Sequence, residues 1–167
     1  RGELDQGALR AALRGLLQRH EALRATVGPD GTELLIGAGE ASEIATFDLR
    51  HLSHAERDEA IARAAQSAVE TPFDLARGPL FRAALYRLAD DEHVLLLTAH
   101  HIVCDGWSWG VMVEDLGGLY AEQLGLAPGL DDAQRYGDYV AWEAEQAAGP
   151  EMAEHERFWL GRYAGSS

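Results

Sequence analysis

Leu9, Leu13, Leu16 and Leu17 recur at helical spacing, with Arg10, Arg14, Gln18 and Arg19 between them, and this pattern predicts an amphipathic helix near the start of the chain. The character changes over Leu23 to Val27. A "GPDG" turn at 28–31 then precedes "TELLIG", so a hairpin of two short strands is expected. Another short strand is predicted at "IATFDLR". Ser53, with Glu56 three residues on, has the form of a capping box, and it opens a helix expected to end near Thr71-Pro72.

Two apolar runs follow, Leu80 to Leu88 and Val94 to Ala99, separated by the polar "ADDE", which predicts a long hairpin. The run "VLLLTA" does not alternate. Its strand is therefore expected to be covered on both faces and central in its sheet. After Gly106, the residues Val111, Met112, Leu116, Leu119 and Tyr120 fall on one helical stripe. Two further helical patterns, "YGDYVAWEAEQ" and "EMAEHERFWLGRYAG", are divided by Gly149-Pro150 and lead to a Gly-Ser-Ser tail.

With 167 residues, 47% of them hydrophobic, the chain is long enough to bury a sizeable core, and one domain is the default expectation. The net charge of −14, from 28 acidic and 14 basic residues, argues against nucleic acid or an anionic membrane as principal partner. The single cysteine, Cys104, cannot form an internal disulfide, which fits a reducing, cytoplasmic setting. No apolar run reaches the roughly 18 to 20 residues of a membrane span. The chain opens on Arg1 and runs from Asp5 directly into a helical pattern, as a piece of something longer would.

The chemistry concentrates in "LLLTAHHIVCDGWSWG", residues 95–110. Successive side chains on a strand point to opposite faces, so His100 and His101 cannot both serve one site while the strand persists. One is structural. The Asp105-Gly106 turn is expected to bring the carboxylate back under the strand end, where it fixes a histidine or pairs with an arginine. A histidine held in one tautomer suits general base catalysis near neutral pH, and His101, nearer the turn, is the candidate. Gly106, without a side chain, lets its backbone N–H approach a substrate carbonyl and stabilise an oxyanion.

Three other readings compete. The histidine pair is purely structural; His101 and Asp105 bind a metal, although no third ligand of the HExxH kind accompanies them; or Cys104 or Ser108 is a nucleophile, although neither sits in a GxSxG-like elbow. His20, His51, His54, His93 and His155 read as surface or capping residues.

"HHIVCDGWS" resembles the HHxxxDG signature of the condensation domains of nonribosomal peptide synthetases, with His100, His101, Asp105 and Gly106 in the signature positions. "RHEALRATV" resembles the family's RHExLRTxF segment, "PFDLARGPLFRAALYRL" its PFDLxxGPLxRxxL stretch, and "YGDYVAWE" its YxDYAxW segment. These four lie in the family's order between Arg19 and Trp142.

The resemblance implies an α+β fold like that of chloramphenicol acetyltransferase, a mixed sheet with helices packed on one side, built in this family as two similar halves. Residues 1–167 look like the N-terminal half. The family's first motif is then expected upstream of Arg1, and the second half downstream of Ser167. The implied reaction is amide bond formation between two thioesters, each tethered to a carrier protein by a phosphopantetheine arm. By this resemblance His101 is the catalytic histidine, as general base or positioning residue, beside Gly106. His100, Asp105, Arg19 and Arg24 support the site, the two arginines as candidate partners for Asp105. Tyr139 and Trp142 are core residues.

No metal or directly bound cofactor is implied, since the arm belongs to the donor and acceptor carrier proteins. These and the second half are the implied partners. Members that cyclise carry DxxxxD instead, so the intact signature implies amide formation. The alternative is a docking module that binds carriers or tailoring enzymes without chemistry, for which Arg10, Arg14, Arg19 and Arg24 offer a basic patch.

Overall fold

A computed structural model describes residues 2–37 and 44–164, and they divide into two compact units, split after Asp132, where length alone predicts one domain. The Gly-Ser-Ser tail falls outside the described residues. The first unit begins with helix α1 (Gln6–Arg19). Asp5 starts it, its carboxylate accepting the Ala8 N–H at 2.9 Å, so one of the donors that a helix start leaves unpaired is satisfied. The helix ends at His20, and a single 3-10 turn, Glu21–Arg24, leads into the predicted hairpin, β1 (Ala25–Val27) against β2 (Leu34–Ile36).

Strand β3 (Ala45–Asp48) feeds helix α2 (His54–Glu70). Here the capping box is complete: the Ser53 side chain accepts from the Glu56 N–H, and the Glu56 carboxylate accepts the Ser53 N–H at 2.8 Å. The helix stops at Thr71, whose hydroxyl donates back to the Ser67 carbonyl and whose successor is proline. Strand β4 (Phe81–Arg87) follows, then β5 (His93–Ala99), paired antiparallel over seven residues as the long hairpin requires.

The sheet order is β3-β4-β5, with β3 parallel to β4, so the central strand among the described residues is β4 and not β5. Only half of the expectation for "VLLLTA" stands. All seven β5 residues are half-buried, which accounts for the unbroken apolar run, yet the strand lies at the edge. Its neighbour is decided by the α2 crossover, which lays β3 on the far side of β4.

Helix α3 (Gly106–Gln123) returns along α1. Leu9, Leu13, Leu16 and Leu17 of α1 meet Met112 and Leu116 of α3, together with Ile44, Phe81 and Leu85, in one buried cluster. Leu16 is wholly buried; burying a leucine side chain contributes about 1.5–3 kcal/mol, so this face dominates the unit's stability. Gly15 faces Leu119 across this seam, where a Cβ would lie in ordinary contact at 3.4 Å. Val111, expected on the stripe, is exposed instead. Its position falls one residue before Met112 and off the buried arc.

The other face of the sheet takes the end of α2. Arg82, on the side of β4 opposite Phe81, donates to the carbonyls of Thr71 and Pro72 at 3.0 and 2.7 Å.

The second unit is a helical pair, α4 (Tyr136–Ala147) and α5 (Pro150–Tyr163), with Pro150 opening α5 at a position where its missing N–H costs nothing. Tyr139 and Trp142 are 50% and 55% exposed, so they are not the core residues expected. They pack on each other, ring centroids 5.8 Å apart, because residues three apart share a helix face.

Candidate active site

Strand β5 ends at Ala99, and both histidines lie beyond it, in the turn that precedes α3. The alternation that would have sent them to opposite faces therefore stops one residue before it applies. His100 continues the pairing by a single bond, its N–H donating to the Leu80 carbonyl at 2.9 Å. Its ring then closes the turn: Nδ1 accepts the Ile102 N–H at 3.1 Å, while the ring meets Phe73 at right angles, centroids 5.8 Å apart. An accepting Nδ1 carries no proton, so the neutral His100 ring is protonated on Nε2. His100 thus braces the turn.

His101 is exposed at the first position of the turn, and among the described residues its ring has no hydrogen-bond partner. Nothing in the described residues holds its tautomer. Cys104 is buried in the core cluster, its thiol donating to the Asp105 carbonyl at 3.7 Å. Burial pushes that thiol's pKa up, and the Asp105 carboxylate adds to the shift, which disfavours the thiolate a nucleophile needs.

Asp105 neither returns under the strand nor meets an arginine. It caps α3: its Oδ1 accepts the Ser108 N–H at 2.8 Å and the Ser108 hydroxyl at 2.7 Å, while the Ser108 oxygen accepts the Asp105 N–H at 3.2 Å. These bonds from Ser108 hold the Asp105 carboxyl below the usual carboxylate range. Ser108 is committed to the cap and is not poised as a nucleophile. Gly106 is the first residue of the helix, open to solvent, and a Cβ there would touch nothing within 4 Å. Its N–H belongs to the first turn, whose amides have no partner within the helix and favour negative charge. His101 and Gly106 are both exposed, as is Trp107, at 84%.

Arg19 and Arg24 lie elsewhere. Arg19 donates from Nε to the Asp115 carboxylate at 2.8 Å and from a terminal nitrogen to the Asp131 carbonyl. The same Asp115 oxygen lies 2.7 Å from His20 Nε2. These side chains are largely buried, so α1 is tied ionically to the middle of α3 and not to its cap. Arg24 donates to the carbonyls of Gly37 and Gln18, which pins the end of β2 to α1, while its Nε is buried without a partner. Arg10 is likewise held, on the Ile44 carbonyl and the Thr46 hydroxyl. Of the four arginines of the expected basic patch, only Arg14 is exposed on α1.

Four residues of this region fall outside the expected site residues: His20, Phe73 and Arg82 lie in the quoted "RHEALRATV" and "PFDLARGPLFRAALYRL" segments, whereas Asp115 carries no local signal. His20, expected at the surface or in a cap, does end α1, but its ring belongs to the Asp115 pair, 95 residues away in sequence. Among the described residues no group of three His, Cys, Asp or Glu side chains is placed to hold a metal ion, and no helix is long and apolar enough to cross a membrane.

The mixed sheet with α1 and α3 packed on one face defines an α+β, chloramphenicol acetyltransferase-like fold, the fold of the condensation domains it superposes on. The condensation domain family model matches residues 1–167, and the chain belongs to that family. It is 36% identical over 162 residues to chondramide synthase cmdD of Chondromyces crocatus, covering 95% of this chain and 4% of that one. It is 42% identical over 150 residues to malpibaldin synthetase of Mortierella alpina, covering 86% of this chain and 3% of that one. The starter condensation domain of rhizomide synthetase RzmA superposes with a TM-score of 0.86 at 25% identity, over 99% of this chain and 40% of that one. The X-domain from teicoplanin biosynthesis, solved in complex with OxyB, superposes with a TM-score of 0.82 at 30% identity, over 99% of this chain and 36% of that one. The chain thus spans about two-fifths of these solved domains and a small fraction of either synthetase.

Proposed function

We propose that this chain is the histidine-bearing, N-terminal half of a domain that forms an amide bond between two carrier-tethered thioesters. The observation that carries the reading is the exposed His101 ring, without a partner among the described residues, on a turn braced by His100 and followed five residues on by Gly106 at the start of α3. The acceptor amine attacks the donor's thioester carbonyl; a C–N bond forms, the C–S bond breaks, and the donor arm leaves as a thiol. His101 takes the amine proton or orients the amine for attack. The first-turn N–H of Gly106 faces the negative charge that develops on the carbonyl oxygen. The phosphopantetheine arms come with the donor and acceptor carrier proteins, and the second half of the domain completes the site.

Asp105 and Ser108 serve this arrangement by starting α3 at Gly106, which supports the site without contact to substrate. Arg19 and Arg24 serve it at longer range, by holding α1 to α3 and to the hairpin. The experiment is mass spectrometry of carrier-bound product from the full-length protein, wild type against His101→Ala. A fall of roughly a hundredfold or more supports the reading. Equal transfer by the two proteins removes His101 from the mechanism.

A second reading, a docking module, draws on the similarity to the X-domain solved with OxyB. It requires binding of a carrier or tailoring enzyme with no transfer by the wild type. The engagement of Arg10, Arg19 and Arg24 in internal bonds weighs against their serving as its basic patch.

A further inference from the structure

The turn that presents His101 rests on a stack of three side chains from three different segments. Arg82 of β4 reaches over the end of α2 and donates to two successive carbonyls, Thr71 at 3.0 Å and Pro72 at 2.7 Å. Its guanidinium carbon lies 3.9 Å from the centre of the Phe73 ring, in the range of a cation–π contact. The Phe73 ring in turn stands at 86° to the His100 ring. His100 closes the row by accepting the Ile102 N–H on Nδ1, and Ile102 directly follows His101.

Each link restricts the next. A planar guanidinium bound to two carbonyls has no rotamer freedom left, so its face is fixed, and the ring on that face is fixed with it. The loop that carries Phe73 is itself tied down: Asp74 Oδ1 accepts the N–H groups of Ala76 and Arg77 at 3.0 and 3.1 Å. Gly78 follows at φ +65°, where a Cβ would lie 3.1 Å from the Thr26 side chain. Without Phe73 behind it, the His100 ring is free to rotate about χ1 and χ2, and the Ile102 N–H loses its acceptor.

We propose that Arg82 and Phe73 are positioning residues of the transfer reaction: through His100 they hold the 100–103 turn in the one conformation that presents His101. The proposal rests on the reading of His101 given above. It predicts that Arg82→Met and Phe73→Leu lower kcat with little change in KM, because substrate still binds but meets a misdirected imidazole. A loss of about tenfold to a hundredfold is expected, the scale of a misplacement near 1 Å. Arg82→Lys is expected to behave like Arg82→Met, since an ammonium reproduces neither the double carbonyl clamp nor the flat face.

The test uses the full-length protein with loaded carriers, and Ser53→Ala as a control that destabilises the α2 start at a distance from the turn. Kinetics are paired with diethylpyrocarbonate modification, mapped to His100 and His101 separately by mass spectrometry. The reagent acylates an unprotonated imidazole nitrogen, and in the wild type the unprotonated Nδ1 of His100 is covered by the Ile102 N–H. Modification of His100 is expected to accelerate several-fold in Arg82→Met and Phe73→Leu and to stay at the wild-type rate in Ser53→Ala. If the two variants lower Tm but match Ser53→Ala in both kcat and His100 modification, the stack is merely structural and the proposal falls. If His101→Ala proves fully active, the reading of the site fails, while accelerated His100 modification would still establish that the stack holds the turn.

Discussion

The middle and the first turn of the same helix are held in opposite ways. The middle of α3 is locked into the core: Met112 and Leu116 are buried against α1, and Asp115 between them holds both Arg19 and His20. Its first turn is held only by the local Asp105–Ser108 cap and stands in solvent with His101, Gly106 and Trp107. Burial and exposure are thereby separated along one helix. The buried part supplies a rigid mount, and the exposed first turn is the part that the proposed function assigns to substrate.

Leu16→Ala strikes the mount hardest. Leu16 is wholly buried, and removing it is expected to cost about 2–5 kcal/mol by urea denaturation; a loss below about 1 kcal/mol would mean the α1–α3 face is not the core described. Asp115→Ala comes next. It leaves the Arg19 guanidinium and His20 without their shared carboxylate in a largely buried setting, for an expected loss of about 1–3 kcal/mol. Equal stability of variant and wild type would show the ionic tie to contribute nothing.

The exposed end is expected to respond more weakly, and with a pH signature. Asp105→Ala removes the cap, and Tm should fall by a few degrees at neutral pH. Because the bonds from Ser108 depress the Asp105 pKa in the folded protein, the unfolded chain binds its proton first as pH falls. The cap's contribution is therefore complete above the usual carboxylate value near pH 4 and is lost as pH drops through the lower folded value. A Tm difference that persists unchanged at about pH 2 would break this account. His101→Ala is expected to do least to stability, within about 0.5 kcal/mol, while doing most to transfer. That contrast between the two measurements is the sharpest form of the comparison.

Much of this is legible in the chain. The five helices and both hairpins of the described residues follow from periodicity and from turn residues, and Ser53-x-x-Glu56 marks the start of α2 because a capping box is closed by neighbours in sequence. Asp105-Gly106 is legible as a chain reversal. What Asp105 bonds is not, since Ser108, three residues on, competes on equal terms with any arginine the fold might bring near. The assignment of "VLLLTA" fails in part for a related reason: an apolar run reports partial coverage of both faces, and an edge strand whose seven residues are all half-buried meets that as a central one does.

What the sequence determined by itself was most of what closes within a few residues, the Asp105–Ser108 cap excepted: helix starts and stops, hairpin turns, the buried stripe of α1, and the spacing of His100, His101, Asp105 and Gly106. Only the tertiary structure decided which carboxylate answers Arg19 across 96 residues, that β4 is the central strand, and that Arg82 and Phe73 stand behind His100. The reason is physical. Bonds between near neighbours follow from backbone geometry alone, whereas a partner distant in sequence is chosen by how the whole set of apolar faces packs, and no short segment contains that information.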